Sequence, residues 1–280
     1  MSRRVAAVLV VFLGFLVVGL IITSLQKARF NSGQTASKNN LRELAFFAHI
    51  HANPDPKIDT KGLSGQMPQG TIVLPGVTPE DRLSWAMVVM PSLDQKRQDL
   101  AALLAQIDQT QPWPAEANQA AGRTPLIAMI CPGATPKATP DSPAITCYVG
   151  IGGLAPPDPA TLSLPPARPT PPRAGAFRYD APTPFDRITD GLSQTLLMGE
   201  CANEPGPWLR GGYSTVRGLD DSKNGKPLIG ENGQFGGFFP NGGQFAMCDG
   251  GVRLFTPQTE PRVLFRLATI ADGTNEVPID

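Results

Sequence analysis

Val5–Leu25 reads VAAVLVVFLGFLVVGLIITSL, and Gln26–His51 continues as QKARFNSGQTASKNNLRELAFFAHIH without a proline. The first stretch carries no charge over about 21 residues, the length an α-helix needs to cross a bilayer. It exceeds the apolar core of a cleaved signal peptide, about 7–15 residues, and Thr23-Ser24-Leu25-Gln26 offers no small-x-small cleavage site. The reading is therefore a retained signal anchor. Arg3 and Arg4 precede the span while Lys27 and Arg29 follow it, so local charge orients it little. The short tail 1–4 favours a cytoplasmic N-terminus, with the bulk of the chain extracytoplasmic, in a periplasm or on a cell surface. In the second stretch Leu41, Leu44, Ala45 and Ala48 recur at spacings of three and four, one face of a helix. Span 5–25 and stem 26–53 then form one helix of about 45 residues whose apolar face packs on the downstream chain. Asn53-Pro54-Asp55-Pro56 stops it, because proline disfavours the α conformation in the residue before it and lacks a donor.

Outward from that helix, composition narrows the rest. The 280 residues carry 24 basic and 24 acidic side chains, and charged residues make up 17%, where a soluble domain averages roughly 25%. No stripe of Lys and Arg interleaved with aromatics occurs, so neither a nucleic acid nor another polyanion is indicated as partner. The 29 glycines and 30 prolines indicate a loop-rich globule, not a helical bundle or a compact α/β enzyme. Leu154 to Pro184, containing APPDP and PPARPTPP, reads as a polyproline-like surface loop.

Within 54–280, Thr78-Pro79-Glu80-Asp81 reads as a helix start with Thr as cap and Pro at the first position. Gln98 to Gln109 looks helical, and a last helix fits Pro261–Ala268, followed by a turn at Ala271-Asp272-Gly273. Short apolar runs between turn residues, Leu126–Ile130, Ile145–Ile151, Thr195–Gly199, Gln244–Met247 and Val252–Phe255, are strand candidates. The last two are joined by Asp249-Gly250, a dipeptide that supplies positive φ in a tight hairpin. Four cysteines, Cys131, Cys147, Cys201 and Cys248, suit either disulfides in an exported domain, with three pairings open, or four buried thiols.

Chemistry-bearing constellations are sparse. His49 and His51, two apart on a helix, point to different faces and do not form a chelating pair. Gly191-Leu192-Ser193-Gln194-Thr195 departs from a nucleophile elbow at Thr195. Gly150-Ile151-Gly152-Gly153 and Gly236-Gly237 precede no phosphate-holding helix, which leaves nucleotide binding without support. Asp220-Asp221-Ser222-Lys223-Asn224-Gly225 with Glu231 matches the register of a calcium loop, but Pro227, Lys223 and Lys226 oppose that use. The sequence thus assigns no catalytic, cofactor-binding or metal-ligating residue.

Several segments, in order, resemble one family. The stem residues Ala28-Arg29, Asn39-Asn40-Leu41 and Ala48-His49, then Ser84-Trp85-Ala86-Met87 with Pro91, Ile130-Cys131-Pro132 and Cys147-Tyr148-Val149-Gly150 are similar to its recurrent motifs. More specific are the run Ile188 to Glu200, ITDGLSQTLLMGE, followed by Pro207-Trp208, and the run Pro240 to Leu254, PNGGQFAMCDGGVRL. Leu264 to Gly273 resembles the closing segment. The chain resembles the planctomycete-type, prepilin-like proteins of unknown function that carry a C-terminal H-x9-DG signature.

That resemblance implies a pilin-like α+β fold, a long membrane-spanning helix packed on a mainly antiparallel sheet with long Pro/Gly-rich loops. It also implies a non-enzymatic, pseudopilin-like structural or secretion-associated role, with the lipid bilayer, pilin-like proteins, secretion-system proteins or further copies as partners. Two departures bear on this. Gly14-Phe15 lies within the span with no following Glu, unlike a prepilin cleavage motif, and Phe239 stands where the signature histidine belongs. The alternative is an exported module binding a glycan or Ca2+ through Trp85, Trp208 and the loop from Asp220.

Overall fold

The computed structural model describes residues 3–52, 65–93, 98–134, 141–154, 173–222 and 225–271. Helix α1 runs unbroken over Arg3–Ala52, 50 residues, or about 75 Å at 1.5 Å per residue. No proline interrupts it, and its interior supplies long apolar residues and alanines, which suit helix. The proline stop after it and the turn at Asp272-Gly273 lie outside the described residues. The two ends of α1 differ. Phe12 to Leu25 is exposed on every side, whereas Leu41, Leu44, Ala45 and Ala48 are wholly buried, as their spacing predicts. Over Phe12–His49 the helix is long and apolar enough to cross a membrane, with a window of mean hydropathy 1.4, none of it buried.

The docked end lies on a five-stranded sheet. Its strands are β2 (Tyr148–Leu154), β4 (Leu196–Glu200), β5 (Val216–Leu219), β6 (Gly243–Met247) and β7 (Val252–Phe255), in the order β5-β2-β4-β6-β7. Three neighbouring pairs are antiparallel and β2–β5 is parallel, so the architecture is α+β with a mainly antiparallel sheet. A two-stranded ribbon pairs β1 (Gln66–Met67) with β3 (Thr183–Pro184). Around the sheet sit α2 (Ala86–Leu93), α3 (Gln98–Leu104), α4 (Glu116–Gly122) and α5 (Pro261–Ala268).

Strands β2, β4 and β6 are buried on both faces. Toward α1 and α2, Leu41, Leu44, Met198, Ala246 and Trp85 share one core; toward α5, Val149, Phe245, Met247, Leu264 and Leu267 share a second. This two-sided burial explains why the strand segments read as continuous apolar runs instead of alternating ones. The β6–β7 hairpin turns as its sequence indicates: Gly250 has φ 84°, and Asp249 Oδ1 accepts from the Gly251 amide at 2.8 Å.

Several expectations are corrected. Leu126–Ile130 is not a strand; Ile127–Met129 forms a 3-10 turn with Ile127 exposed and Met129 buried. A five-residue apolar run does not separate strand from turn, and here the Met129 carbonyl accepts from the Cys147 amide and the Thr146 hydroxyl without extending into a ladder. The start at Thr78 yields only one 3-10 turn, Pro79–Asp81, with Thr78 Oγ1 donating to Asp81 Oδ2 and not capping a backbone amide. The chain is then drawn into extended pairing, Ile72 N–H to Leu83 O. Helix α3 stops at Leu104 instead of Gln109: the chain tightens into i→i−3 bonds at Gln106 and Ile107, and Asp108 Oδ1 then accepts from Thr110 N and Oγ1, local bonds that compete with helix.

The proline-rich stretch is also not a solvated connector throughout. Residues 155–172 lie outside the described residues, but Phe177 and Tyr179 are fully buried. Ala174 bridges Gly153, where an added Cβ would lie 2.1 Å from the Arg173 carbonyl, so the Gly152-Gly153 pair serves close backbone packing.

Docking of α1 by its apolar face gives a paired expectation. Leu44→Ala should destabilise the folded part by about 2–5 kcal/mol. Phe46→Ala, at a side chain 59% exposed, should stay within about 0.5 kcal/mol. Denaturant unfolding of both variants in detergent checks the contrast; equal effects would mean the helix docks by another face.

Candidate functional site

A fully buried polar cluster lies between α1 and the sheet, centred on Glu200. Ser37 presents its hydroxyl from the stem helix. Tyr148 and Glu200 are directly opposite on β2 and β4, and Gln244 lies on β6 beside them. Cys131 follows the 3-10 turn. Ser37, Tyr148, Cys131 and Glu200 are all 0% exposed.

Glu200 Oε1 accepts from the Ser37 hydroxyl, and Oε2 accepts from the Gln244 amide at 2.8 Å. Gln244 Nε2 reaches Oε1 at 3.5 Å and also donates to the Gln34 carbonyl on α1 at 3.0 Å. Ser37 Oγ lies 2.9 Å from the Tyr148 hydroxyl, and Asn40 Nδ2 donates to the Ile130 carbonyl at 3.2 Å. Farther up the stem, Gln34 Nε2 donates to Asn241 Oδ1 at 2.8 Å. No cation touches the Glu200 carboxylate among the described residues. Neutral donors alone satisfy it, which makes the stem's hydroxyl part of the acid's solvation.

Burial pushes the Glu200 carboxyl above its ordinary range, against the lowering effect of its bonds to Ser37, Gln244 and Cys131. Burial likewise pushes the Cys131 thiol up to about 12 and Cys147 to about 11, and raises Cys201 and Cys248. All four cysteines are buried and free, so of the two readings the sequence left open, the thiol one describes this structure. Buried thiols of this kind behave as small apolar groups and are poor nucleophiles.

The residues nominated from sequence fall elsewhere. Trp85 and Trp208 are wholly buried, with Nε1 donating to Thr215 O (2.9 Å) and Thr124 O (3.0 Å). Neither offers a face to a ligand, a correction to the glycan reading, because a large apolar ring with one satisfied donor fits a core as well as a platform. The loop from Asp220 does not converge as a calcium loop. Asp220 Oδ1 accepts the Ser222 amide, Asp221 is bridged bidentately to Arg173 at 2.8 Å, and Glu231 is exposed. Lys223 and Asn224 lie outside the described residues. Among the described residues no group of three or more His, Cys, Asp or Glu is placed to hold a metal.

His49 bonds the Cys248 carbonyl through Nε2 and lies 5.5 Å from the Phe185 ring, a structural contact between stem and hairpin; the side chain of His51 lies outside the described residues. Phe239 is buried, edge-on to Phe30 of the stem at 5.4 Å, and its ring would meet a Cβ at Gly33 at 3.3 Å. Phe239 thus clamps α1 through an aromatic contact.

Glu200, Ser37 and Gln244 lie in no motif that marks chemistry in the sequence. One signal was present: a carboxylate closing the apolar run Leu196–Gly199, in a strand with no exposed face.

Ser37→Ala removes a donor from Glu200 and a partner from Tyr148, and should cost about 1–3 kcal/mol. The pH dependence has a definite sign. Because the folded-state pKa is raised, the folded chain holds a proton where the unfolded chain has released it. That stability is full below the ordinary carboxylate value of 4.5 and is lost as pH rises through the higher folded value. Urea unfolding across this range should show the decline in the wild type and a flatter curve in Glu200→Gln; identical slopes would contradict the buried-acid assignment.

No curated protein and no solved structure matches the chain. A family model described as a protein of unknown function, DUF1559, matches residues 26–222, from the start of the stem to just past β5, and the chain belongs to that family.

Proposed function

We propose that this protein is a membrane-anchored, non-enzymatic, pseudopilin-like component of the cell envelope. The first half of α1 lies in the bilayer with its N-terminus cytoplasmic, and the α+β part stands outside the membrane as a structural or secretion-associated element. Its partners are the lipid bilayer and pilin-like or secretion-system proteins, copies of itself included; nucleic acids and nucleotides are not among them.

One observation carries this reading. A single uninterrupted helix changes character midway, fully exposed and apolar over Phe12–Leu25 and docked on a sheet over Ser37–Ala48. An apolar surface of that size is unfavourable in water and stable in lipid. A helix continuous across the boundary transmits the position of the folded part rigidly to the membrane, as a subunit that assembles through its stem requires. The sealed Glu200 cluster supports a non-enzymatic role, since no substrate reaches an acid at 0% exposure.

Crosslinking of native membranes followed by immunoblotting tests assembly. A ladder of self-adducts, or discrete adducts with pilin-like proteins, is the expected outcome; a lone monomer across crosslinker concentrations would contradict it. Mass spectrometry of the native N-terminus separates the anchor from its processing. Retention of Met1 or Ser2 is expected, and a start beyond Leu25 would remove the anchor from the mature protein.

A further inference from the structure

Beside β5, at one edge of the sheet, lies a cavity of about 230 Å³ lined by Asn203, Glu204, Tyr213, Arg217, Asp220 and Lys226 among others. It belongs neither to the Glu200 cluster nor to the membrane half of α1.

Its back wall is fixed by Arg217, which is nearly fully buried. Nε donates to the Tyr213 carbonyl at 2.9 Å. Nη1 donates to the Asn203 carbonyl at 3.1 Å and the Cys201 sulfur at 2.6 Å, and Nη2 to the Glu204 carbonyl at 2.5 Å. The guanidinium also lies 4.4 Å from the Tyr213 ring centroid. These bonds hold Glu204 at φ 57°, the one non-glycine residue with positive φ among the described residues, directly before Pro205 where extended backbone is preferred. Strain of this kind persists only where the surroundings over-determine it, and it gathers at binding sites. On the opposite wall the Gln234 amide is fully used, accepting from Asp220 N–H and donating to the carbonyls of Asp220 and Lys226.

With the backbone so braced, the lining side chains keep unused polar groups. Among the described residues, the Tyr213 hydroxyl and Asn203 Oδ1 have no hydrogen-bond partner. Asp220 uses Oδ1 for the Ser222 amide, leaving Oδ2, and Glu204 uses Oε1 for the exposed Lys226 at 3.1 Å, leaving Oε2. Arg217 and Lys226 balance Glu204 and Asp220 in charge, so an ion of either sign gains nothing net. Unused donors and acceptors thus line one small cavity, which suits a group that donates and accepts at once, the hydroxyl.

We propose that this cavity binds a neutral, hydroxyl-rich ligand, a saccharide unit. The site is independent of the anchoring role and of the aromatic pair nominated from sequence, since neither Trp85 nor Trp208 lines it. Tyr213 and Lys226 donate to ring oxygens, while Glu204, Asp220 and Asn203 accept from hydroxyls.

Saturation-transfer NMR on the full chain, in a detergent without a sugar headgroup, tests this with glucose, galactose, mannose and N-acetylglucosamine as separate probes. Glucosamine and glucuronate serve as charged counterparts. Transfer to at least one neutral sugar is expected, lost in Tyr213→Phe and in Glu204→Gln while the melting temperature holds. Where either variant melts lower, Lys226→Met, at an exposed side chain, replaces it and should also lose the signal. Silence from all four neutral sugars, transfer unchanged in these variants, or stronger transfer to a charged counterpart would each overturn the proposal.

Discussion

The hydrogen bond from Ser37 to Glu200 joins the two halves of this molecule. A carboxyl group removed from water is costly unless donors replace its hydration, and the stem helix supplies one of those donors. The remaining ones come from β6 and from the turn that carries Cys131. Undocking the stem would therefore strip a buried acid of its solvation as well as exposing Leu41, Leu44, Ala45 and Ala48. Apolar contact supplies most of the attraction, because it scales with area. The polar cluster supplies register: only Ser37, facing Tyr148 and Glu200, satisfies both, so the helix has one rotation and one height on the sheet.

Farther along α1 the same logic recurs with different chemistry. His49 meets the hairpin at Cys248, Gln34 meets Asn241, and Phe30 with Gly33 receives the ring of Phe239. Contacts thus follow one side of the helix from Phe30 to His49. Below Phe30 they cease among the described residues, and over Phe12–Ile22 the helix exposes an almost wholly apolar surface on every side. A helix with that surface is long and apolar enough to cross a membrane, and the change occurs where Lys27 and Arg29 sit, cations that suit a headgroup region. The apolar half and the docked half are one continuous helix, a property that suits the proposed structural element.

Much of the fold is legible in the sequence, for identifiable reasons. The helix, its buried face, the β6–β7 hairpin and α5 are set by local signals: periodicity, a proline-free run, an Asp-Gly turn and a proline at the first helical position. Segments governed by distant partners read poorly. Leu126–Ile130 has the composition of a strand, yet no ladder is available to it. Phe177 and Tyr179 sit in a proline-rich stretch that composition alone places outside, while tertiary packing draws them in. Glu200 was half hidden in the same way: the apolar run Leu196–Gly199 before it points to burial, but what seals it is a helix 163 residues away in sequence. The pocket beside β5 was equally opaque; its walls come from three loops and a strand, and Arg217 reads from sequence as an ordinary charge. The tryptophans misled because size and polarity serve core and platform alike.

The central claim is that one helix is held by lipid over its first half and by the sheet, through Ser37 and Glu200, over its second. Amide hydrogen exchange on the full chain in lipid nanodiscs, wild type beside Ser37→Ala, addresses it directly. Protection over both 12–25 and 37–48 in the wild type, with faster exchange in the variant confined to 37–48 and the β4 strand, is the expected pattern. Rapid exchange of 37–48 in the wild type, or a variant indistinguishable from it, would contradict the claim.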